Sequence, residues 1–444
     1  MTDTAPSAAL YAEHLAIQLA RIDAALAAEG LDTLLIASGV ERMQFLDDMP
    51  YPFRPNPHFK LLLPLTAHPG CWIVHRPGQK PTLIYLQPRD YWHQVPQAPS
   101  GDWTAHFEIE VIREAEAAAA LLPAPGPGVA ILAEGEPLPG YVGNASESLL
   151  NRLHYPRAIK TAYELACMRV ASIAAVRGHR AAAEAFHAGG SEFDIHLAYL
   201  KATGHAEVEL PYGNIIGLNE HGAVLHYQVQ DKTPPLQSLS LLIDAGAQYR
   251  GYAADITRTH ARHTGYFADL IRALDAAQLK LCDQVRPGVD YRDIHLAAHL
   301  EVACILSQTG LVKMTPESIV ESGVSSHFFP HGIGHLIGLQ VHDVAGRAAG
   351  PTGGERPRPD GHPYLRMTRT IEADMVVTIE PGIYFIDLLL GELADSRHAG
   401  SIAWNEIDAL RHYGGIRIED DVRTTAEGTP ENLSRAAFAE IAAA

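Results

Sequence analysis

Residues 239–257 read LSLLIDAGAQYRGYAADIT, and this stretch decides how the surrounding chain is interpreted. Two apolar runs on either side of a polar centre predict antiparallel strands joined by a turn near residues 249–250, with Gly251 supplying backbone freedom. A two-residue turn centred there places Asp244 directly opposite Asp255, with Cβ atoms roughly 4.5–5.5 Å apart on one face. A bulge at Gly251 would shift this register by one residue and still keep the two carboxylates close.

The facing carboxylates of Asp244 and Asp255 predict a bound cation. Two like charges opposite each other inside an apolar hairpin destabilise it, and a cation between them removes the conflict. Taken alone, the pair has an alternative interpretation as two solvated strand residues.

Composition bounds the class of protein. The 444 residues are enough for two domains, and 34 Lys+Arg against 52 Asp+Glu give a net charge of −18. Such an acidic chain is a poor partner for nucleic acid or an anionic membrane surface. The first residues lack the pattern of a secretion signal, and no apolar run is long enough to cross a membrane. The four scattered cysteines favour reduced thiols, so a cytoplasmic location is expected.

Alternating helix and strand patterns predict an α/β domain over residues 1–157 and a second domain over 158–444. A helix over residues 7–29 ends at Gly30, and Ser191 with Asp194 predicts a capping box for a later helix. Residues 223–227 are predicted to form a short strand, and residues 415–420 a continuous one.

Three further clusters in the second half carry chemistry. His331, His335 and His342 lie among glycines that disfavour a regular helix, so filling a core is a poor explanation for them. Glu380 ends an apolar strand just before a proline, and alternation places Arg417 and Glu419 on one face of a strand. Taken alone, Glu380 also fits an exposed strand end, and Arg417 with Glu419 also fits a surface ion pair. Together, four carboxylates and an imidazole suit Mn²⁺, Co²⁺ or Zn²⁺ in a two-metal hydrolytic site better than a structural zinc.

These residues resemble the pita-bread metallopeptidases over essentially the whole chain, and most closely the bacterial prolidase (Xaa-Pro dipeptidase) branch. The resemblance rests on Asp244, Asp255, the His331-Gly-x-Gly-His335 cluster, Glu380-Pro381-Gly382 and Arg417-x-Glu419. It implies a creatinase-like α/β N-terminal domain and an α+β pita-bread catalytic domain. It also implies a homodimer in which the N-terminal domain covers the partner's active site.

The resemblance implies a role for each matching residue. Two divalent ions, Mn²⁺ first and Co²⁺ or Zn²⁺ as alternatives, would be held by Asp244, Asp255, His335, Glu380 and Glu419, with a bridging hydroxide attacking the imide bond. Glu380 would transfer the proton, and His342 would steady the tetrahedral intermediate. His226 and Arg366 would hold the substrate carboxylate. The proline pocket would be formed by Tyr212, Ile215 and His331. Tyr384, Arg417 and Thr257 would support the ligands.

Three other functions remain open at this point. An aminopeptidase P would cut longer peptides at the same bond. A phosphotriesterase side activity is known among prolidase relatives. A metal-free pita-bread enzyme or binding protein is the third, and the complete set of carboxylates argues against it.

Overall fold

The computed structural model describes residues 5–443, so the outer limits of the two predicted domains, residues 1–4 and 444, lie outside the described residues. The same holds for most of the N-terminal stretch in which no secretion signal is expected.

The first third of the chain is built on one mixed sheet. Its elements are α1 (Ala8–Glu29), β1 (Thr33–Ala37), α2 (Pro57–Leu62), β2 (Trp72–His75), β3 (Thr82–Leu86), β4 (Glu108–Ile112), β5 (Val129–Leu132) and α3 (Glu147–His154). The five strands lie in the order β4-β3-β2-β1-β5. The predicted first helix is confirmed: the Ser7 hydroxyl accepts from Leu10 N, and Gly30 ends the helix in the left-handed conformation.

The remaining elements form several small sheets surrounded by helices. They are α4 (Ala162–His187), α5 (Glu192–Thr203), β6 (Ile215–Leu218), β7 (Ser240–Asp244), β8 (Gln248–Tyr249), β9 (Tyr252–Ala253), β10 (Thr257–Ala261), α6 (Tyr266–Cys282), α7 (Tyr291–Gln308), α8 (Pro316–Glu321), α9 (Val324–Phe328), β11 (Val376–Ile379), β12 (Gly382–Tyr384), α10 (Asp387–Ala394), α11 (Trp404–Arg411), β13 (Gly415–Arg417), β14 (Asp420–Arg423), β15 (Glu431–Asn432) and α12 (Leu433–Ala443). Within residues 5–443, short 3₁₀ helices cover Asp102–His106, Ala115–Ala120, Tyr155–Ala158, Glu207–Glu209, Asn219–Ala223 and Ala399–Ser401.

The small sheets converge on one place. They have the orders β10-β7-β6, β11-β14-β15 and β12-β13, and the β8-β9 hairpin extends from the first. Isolated bridges between Thr257 and Glu419 and between Leu336 and Val377 connect them. An apolar core lies between these sheets and α6 and α7, with Leu274, Ile294 and Val377 fully buried. The ends of short strands from three sheets therefore meet, and their polar side chains share one space.

Two strand predictions are wrong. Residues 223–227 end a 3₁₀ helix and continue as a turn, because Val224 N and Tyr227 N donate to local carbonyls rather than to a neighbouring strand. Residues 415–420 do not form one strand. β13 pairs with β12 and β14 pairs with β11, and Glu419 lies at the break, where its N–H donates to Thr257 O.

Candidate metal centre and active site

The hairpin that carries the first two carboxylates has a different register from the predicted one. Its turn is formed by Arg250 and Gly251, with φ values of 52° and 87°, the signature of a type I′ turn. The turn centre is one residue later than predicted, so the pairing moves by two residues and Asp244 lies opposite Thr257. The prediction that Asp244 directly faces Asp255 is wrong. The shift is even, so both carboxylates stay on one face.

The hydroxyl of Tyr212 joins these two carboxylates. Its oxygen lies 2.8 Å from Asp244 Oδ1 and 2.5 Å from Asp255 Oδ1. Gly246 makes this approach possible, because a Cβ there would lie 2.7 Å from the Tyr212 ring and 2.2 Å from Ala254 O. A phenol has one proton, so Tyr212 donates to only one carboxylate at a time and leaves the other electron-rich.

His335 presents a free ring nitrogen to the carboxylates. Its backbone is fixed to β11, since His335 N donates to Thr378 Oγ1 and Thr378 N donates to His335 O. The His335 Nδ1 nitrogen lies 3.0 Å from Leu336 O, a carbonyl that can only accept, so Nδ1 carries the proton. Nε2 then offers its lone pair 3.6 Å from Asp255 Oδ2 and 3.7 Å from Glu380 Oε1.

Glu419 lies at the floor of the site and is 2% exposed. The Thr257 hydroxyl donates to Glu419 Oε2 at 2.6 Å, and the strand bridge between these two residues fixes their spacing. One donor atom from each of Asp255, His335 and Glu419 lies within 4.8 Å of the others.

Arg417 organises the opposite side of the site. Its Nη2 donates to Asp244 Oδ2 at 2.7 Å, and its Nη1 donates to Tyr384 Oη at 2.8 Å. Tyr384 in turn donates to Nε2 of His331, whose Nδ1 donates to Gly332 O. The sequence-predicted supports Thr257, Tyr384 and Arg417 thus each contact a carboxylate or a histidine of the site.

The charges in this site do not balance. Burial raises the pKa of Asp244 to about 6 and that of Glu380 to about 7, and it raises the pKa of Glu419 well above its ordinary value. Burial also acts on Asp255, but the interaction with His335 outweighs it and lowers the pKa of that carboxyl. Among the described residues, Arg417 is the one arginine or lysine paired with any of these four carboxylates.

The donor set fits divalent metal ions. The distances from His335 Nε2 to the Asp255 and Glu380 oxygens are too long for hydrogen bonds. These three atoms therefore face a common space without bonding to one another. Buried oxygens with one imidazole match the preferences of Mn²⁺, Co²⁺ or Zn²⁺. Divalent cations would supply the positive charge that the protein itself lacks here.

Two cavities of about 620 and 900 Å³ open onto the carboxylates. Asp244, Asp255, His226 and His342 line both of them. The smaller cavity is also lined by six further predicted residues: His331, His335, Arg366, Glu380, Arg417 and Glu419. The larger cavity holds Tyr212, Ile215 and the N-terminal residues Phe53, Arg54 and Lys60. The three residues predicted to form one proline pocket are therefore divided, with His331 on one side and Tyr212 and Ile215 on the other.

Two histidines of the smaller cavity are kept neutral. Burial, and then the neighbouring His335, lower the pKa of His342 to about 4, and its ring lies perpendicular to that of His335 at 4.5 Å between centroids. Burial and then Arg417 lower the pKa of His331 to about 3. Arg366 is exposed on the same cavity, within electrostatic range of His226 and His342.

Sequence reasoning missed the carboxylates next to Glu419. Asp421 is fully buried, and its Oδ2 accepts from Asp255 N at 3.0 Å, so it fixes the backbone of a candidate ligand. Asp420 points the other way and accepts from Arg258 and Arg435. The signal was present: three consecutive acidic residues inside an apolar strand pattern require buried partners.

Comparisons with known proteins agree with this geometry. Residues 9–155 match the family model described as Xaa-Pro dipeptidase, N-terminal domain, and residues 166–426 match metallopeptidase family M24. The chain belongs to metallopeptidase family M24. It has the pita-bread fold and the use of divalent metal that were expected.

Relatives cover nearly the whole chain. An Xaa-Pro dipeptidase of Xanthomonas campestris pv. campestris is 54% identical, with 98% of this chain and 99% of the relative covered. One from Stenotrophomonas maltophilia is 53% identical, with 97% and 98% covered. Among solved structures, Pseudomonas aeruginosa aminopeptidase PepP superimposes with a TM-score of 0.72 at 21% identity, covering 99% of this chain and 98% of that one. The zinc-substituted Escherichia coli aminopeptidase P gives 0.70 at 20%, covering 98% and 96%. These two structures share the fold.

Within residues 5–443, no helix combines the length and the hydrophobicity needed to cross a bilayer.

Proposed function

We propose that this chain hydrolyses Xaa-Pro dipeptides, using two divalent metal ions held by Asp244, Asp255, His335, Glu380 and Glu419. The observation that carries the proposal is the convergence of these side chains in one site, where Asp255 and Glu419 are buried, Asp244 and Glu380 are partly buried, and one arginine is paired with a carboxylate among the described residues. The names and high identity of the full-length relatives support the substrate class.

When bound, such ions polarise the substrate carbonyl and activate a water molecule. The protein's own groups do the rest. Glu380 lies among the proposed ligands and lines the smaller cavity, where its carboxylate is placed to accept and return a proton. His342 is neutral and able to donate a hydrogen bond to charge that develops on the carbonyl oxygen.

Substrate length is set by the positive end of the smaller cavity. Arg366 and His226 lie there together, and a guanidinium binds both oxygens of a carboxylate through its planar fork. A carboxylate held by these residues limits the substrate to one residue after the cut bond. His331 forms one wall for the proline ring, and it is held in place by the buried Tyr384, which is in turn bonded to Arg417.

The finer features are also proposals. Mn²⁺ is the proposed native ion, because the donor set is rich in oxygen.

A homodimer is proposed because Phe45, Leu46, Tyr91 and Trp92 are between 78% and 91% exposed, a surface suited to a partner subunit. The domain boundary is proposed at residues 157–158, and a cytoplasmic location is supported by four free thiols.

The decisive experiment uses Arg366→Ala with Ala-Pro and Ala-Pro-Ala as substrates. We expect KM for Ala-Pro to rise about 10- to 100-fold, because a charge-assisted hydrogen-bond pair is worth roughly 1.5–3 kcal/mol. Arg347→Ala is the matched control, since Arg347 lies in the same loop and pairs with Glu355 away from the cavity. Faster hydrolysis of Ala-Pro-Ala than of Ala-Pro by the unmodified chain would instead favour an aminopeptidase P.

A further inference from the structure

Three histidines form a second cluster beside the candidate active site. His295 and His299 lie one turn apart on the same face of α7, and His362 reaches them from the loop over residues 346–366. The centroids of the three rings are 4.5 to 4.8 Å apart, so each ring contacts the other two. None of the three belongs to the proposed dinuclear centre.

The geometry of this histidine cluster is that of ligands around a common point. One nitrogen from each ring lies within 4.8 Å of the other two. His295 and His299 are each 1% exposed, and the buried nitrogens His295 Nδ1 and His299 Nε2 have no hydrogen-bond partner among the residues that the structure describes. Buried polar atoms are almost always paired, so two orphan nitrogens in one cluster call for an explanation.

The second nitrogen of two of these rings already has a partner. His299 Nδ1 lies 3.0 Å from Ser325 Oγ, which leaves Nε2 as its open nitrogen. His295 Nε2 lies 2.9 Å from His362 Nδ1, a contact in which one ring donates to the other. For His299, a ring held through one nitrogen with the other nitrogen unpaired is the usual arrangement of a metal-binding histidine. The contact between His295 and His362 joins two of the proposed ligands, and an ion bound to both rings would replace it.

The rings are also in the required protonation state. Burial, followed by the charges of the neighbouring imidazoles, lowers the pKa of His295 to about 2 and that of His299 to about 3, and burial lowers that of His362. All three are neutral at physiological pH, the form that binds metal.

We propose that His295, His299 and His362 form a separate Zn²⁺ site of this chain. Three imidazoles with an open side suit Zn²⁺, which takes nitrogen ligands in tetrahedral geometry and tolerates a fourth, exchangeable ligand. The open side faces a cavity of about 230 Å³, which is also lined by His327 and Glu392.

Zn²⁺ at this site ties the loop over residues 346–366 to α7. His362 precedes Tyr364 and Arg366, which line the smaller active-site cavity, and His331 borders both spaces. Occupancy therefore restricts the loop that carries Arg366. The existence of the site does not rest on the proposed peptidase function.

The test counts bound Zn²⁺ on the full chain. Protein loaded with Mn²⁺ is dialysed to equilibrium against micromolar Zn²⁺, and the metal content per chain is measured by plasma mass spectrometry. We expect His362→Gln and His299→Leu each to bind one Zn²⁺ ion fewer than the unmodified chain. His263→Gln, which alters an exposed histidine before α6, should bind the same number. His362 lies on a loop and is only partly buried, so this variant decides the result if His299→Leu does not fold.

Hydrogen exchange gives a second readout. Zn²⁺ should slow exchange across residues 346–366 in the unmodified chain and leave it unchanged in His362→Gln. Equal Zn²⁺ counts in the unmodified chain and His362→Gln would overturn the proposal. A chain that lacks dipeptidase activity but loses one Zn²⁺ with His362→Gln would still support it.

Discussion

Glu419 and Asp420 are adjacent, equally buried carboxylates whose surroundings are opposite. Asp420 accepts from Arg258, Arg435, Gln278 and Asn432, and the two arginines outweigh its burial and lower its pKa to about 2. Glu419 accepts one hydrogen bond through its carboxylate, from Thr257, and burial raises its pKa well above the ordinary value. Successive residues of an extended chain point to opposite faces, so one backbone segment serves two environments.

The difference separates a structural carboxylate from a functional one. The protein supplies the positive charge for Asp420 from its own arginines, and that network connects β14 to α6 and α12. It leaves Glu419 and the neighbouring carboxylates with a deficit of positive charge. A cation from solution is the remaining source of positive charge for these carboxylates. A buried carboxylate that is not paired with an arginine or lysine therefore marks the binding site more clearly than a carboxylate that is merely buried.

Replacing Glu419 should have the largest effect. Glu419→Gln removes a carboxylate shared by both proposed ions, and we expect kcat/KM for Ala-Pro to fall on the order of 10⁴-fold, equivalent to about 5 kcal/mol. The free energy of unfolding without metal should not decrease, because no ion pair is broken. Steady-state kinetics and urea unfolding in EDTA measure the two quantities, and a stable, active variant would remove Glu419 from the site.

Replacing Asp420 should lower stability, the quantity that Glu419→Gln leaves unchanged. Asp420→Asn leaves the buried ends of Arg258 and Arg435 without their anion, and we expect the free energy of unfolding to fall by about 3 kcal/mol. Urea unfolding in EDTA provides the measurement. The comparison between the two carboxylates would fail if this variant were as stable as Glu419→Gln.

The pH dependence of the metal-free protein should give a smaller effect. The pKa of Glu380 is raised from 4.5 to about 7 in the folded chain, so its contribution to stability is present below pH 4.5 and is lost as pH rises through 7. Glu380→Gln has no carboxyl at this position to ionise, so its stability does not fall for this reason as pH rises. Buried histidines also titrate in this range, so the quantity to measure is the difference between the two proteins.

In EDTA, we expect Glu380→Gln to gain about 3 kcal/mol over the unmodified chain between pH 4 and pH 7. Urea unfolding at both values measures it. A difference that stays constant with pH would show that Glu380 ionises freely.

Much of the fold was predictable because it depends on local chemistry. The predicted capping box of Ser191 and Asp194 is present, since a short polar side chain at a helix start satisfies exposed backbone N–H groups. The convergence of the candidate ligands was predictable from the resemblance to the family, because a shared fold places the motifs at its strand ends in the same positions.

The parts that failed depend on contacts distant in sequence. The register of the hairpin turned on whether Arg250 adopts a positive φ, which is uncommon for a residue with a side chain. The sequence could not show that His331 lies on a different cavity from Tyr212 and Ile215. The position of Tyr212 depends on its close contact with Gly246, a residue distant in sequence. The pairing of Asp420 with Arg258 and Arg435 joins three separate elements and has no local signal.

Anomalous diffraction from crystals of the full chain soaked in Mn²⁺ tests whether the five proposed ligands hold two ions. We expect two Mn²⁺ peaks roughly 3.5–4 Å apart, bounded by Asp244, Asp255, His335, Glu380 and Glu419. An anomalous map without a peak among these five side chains, from crystals that hydrolyse Ala-Pro, would contradict that assignment.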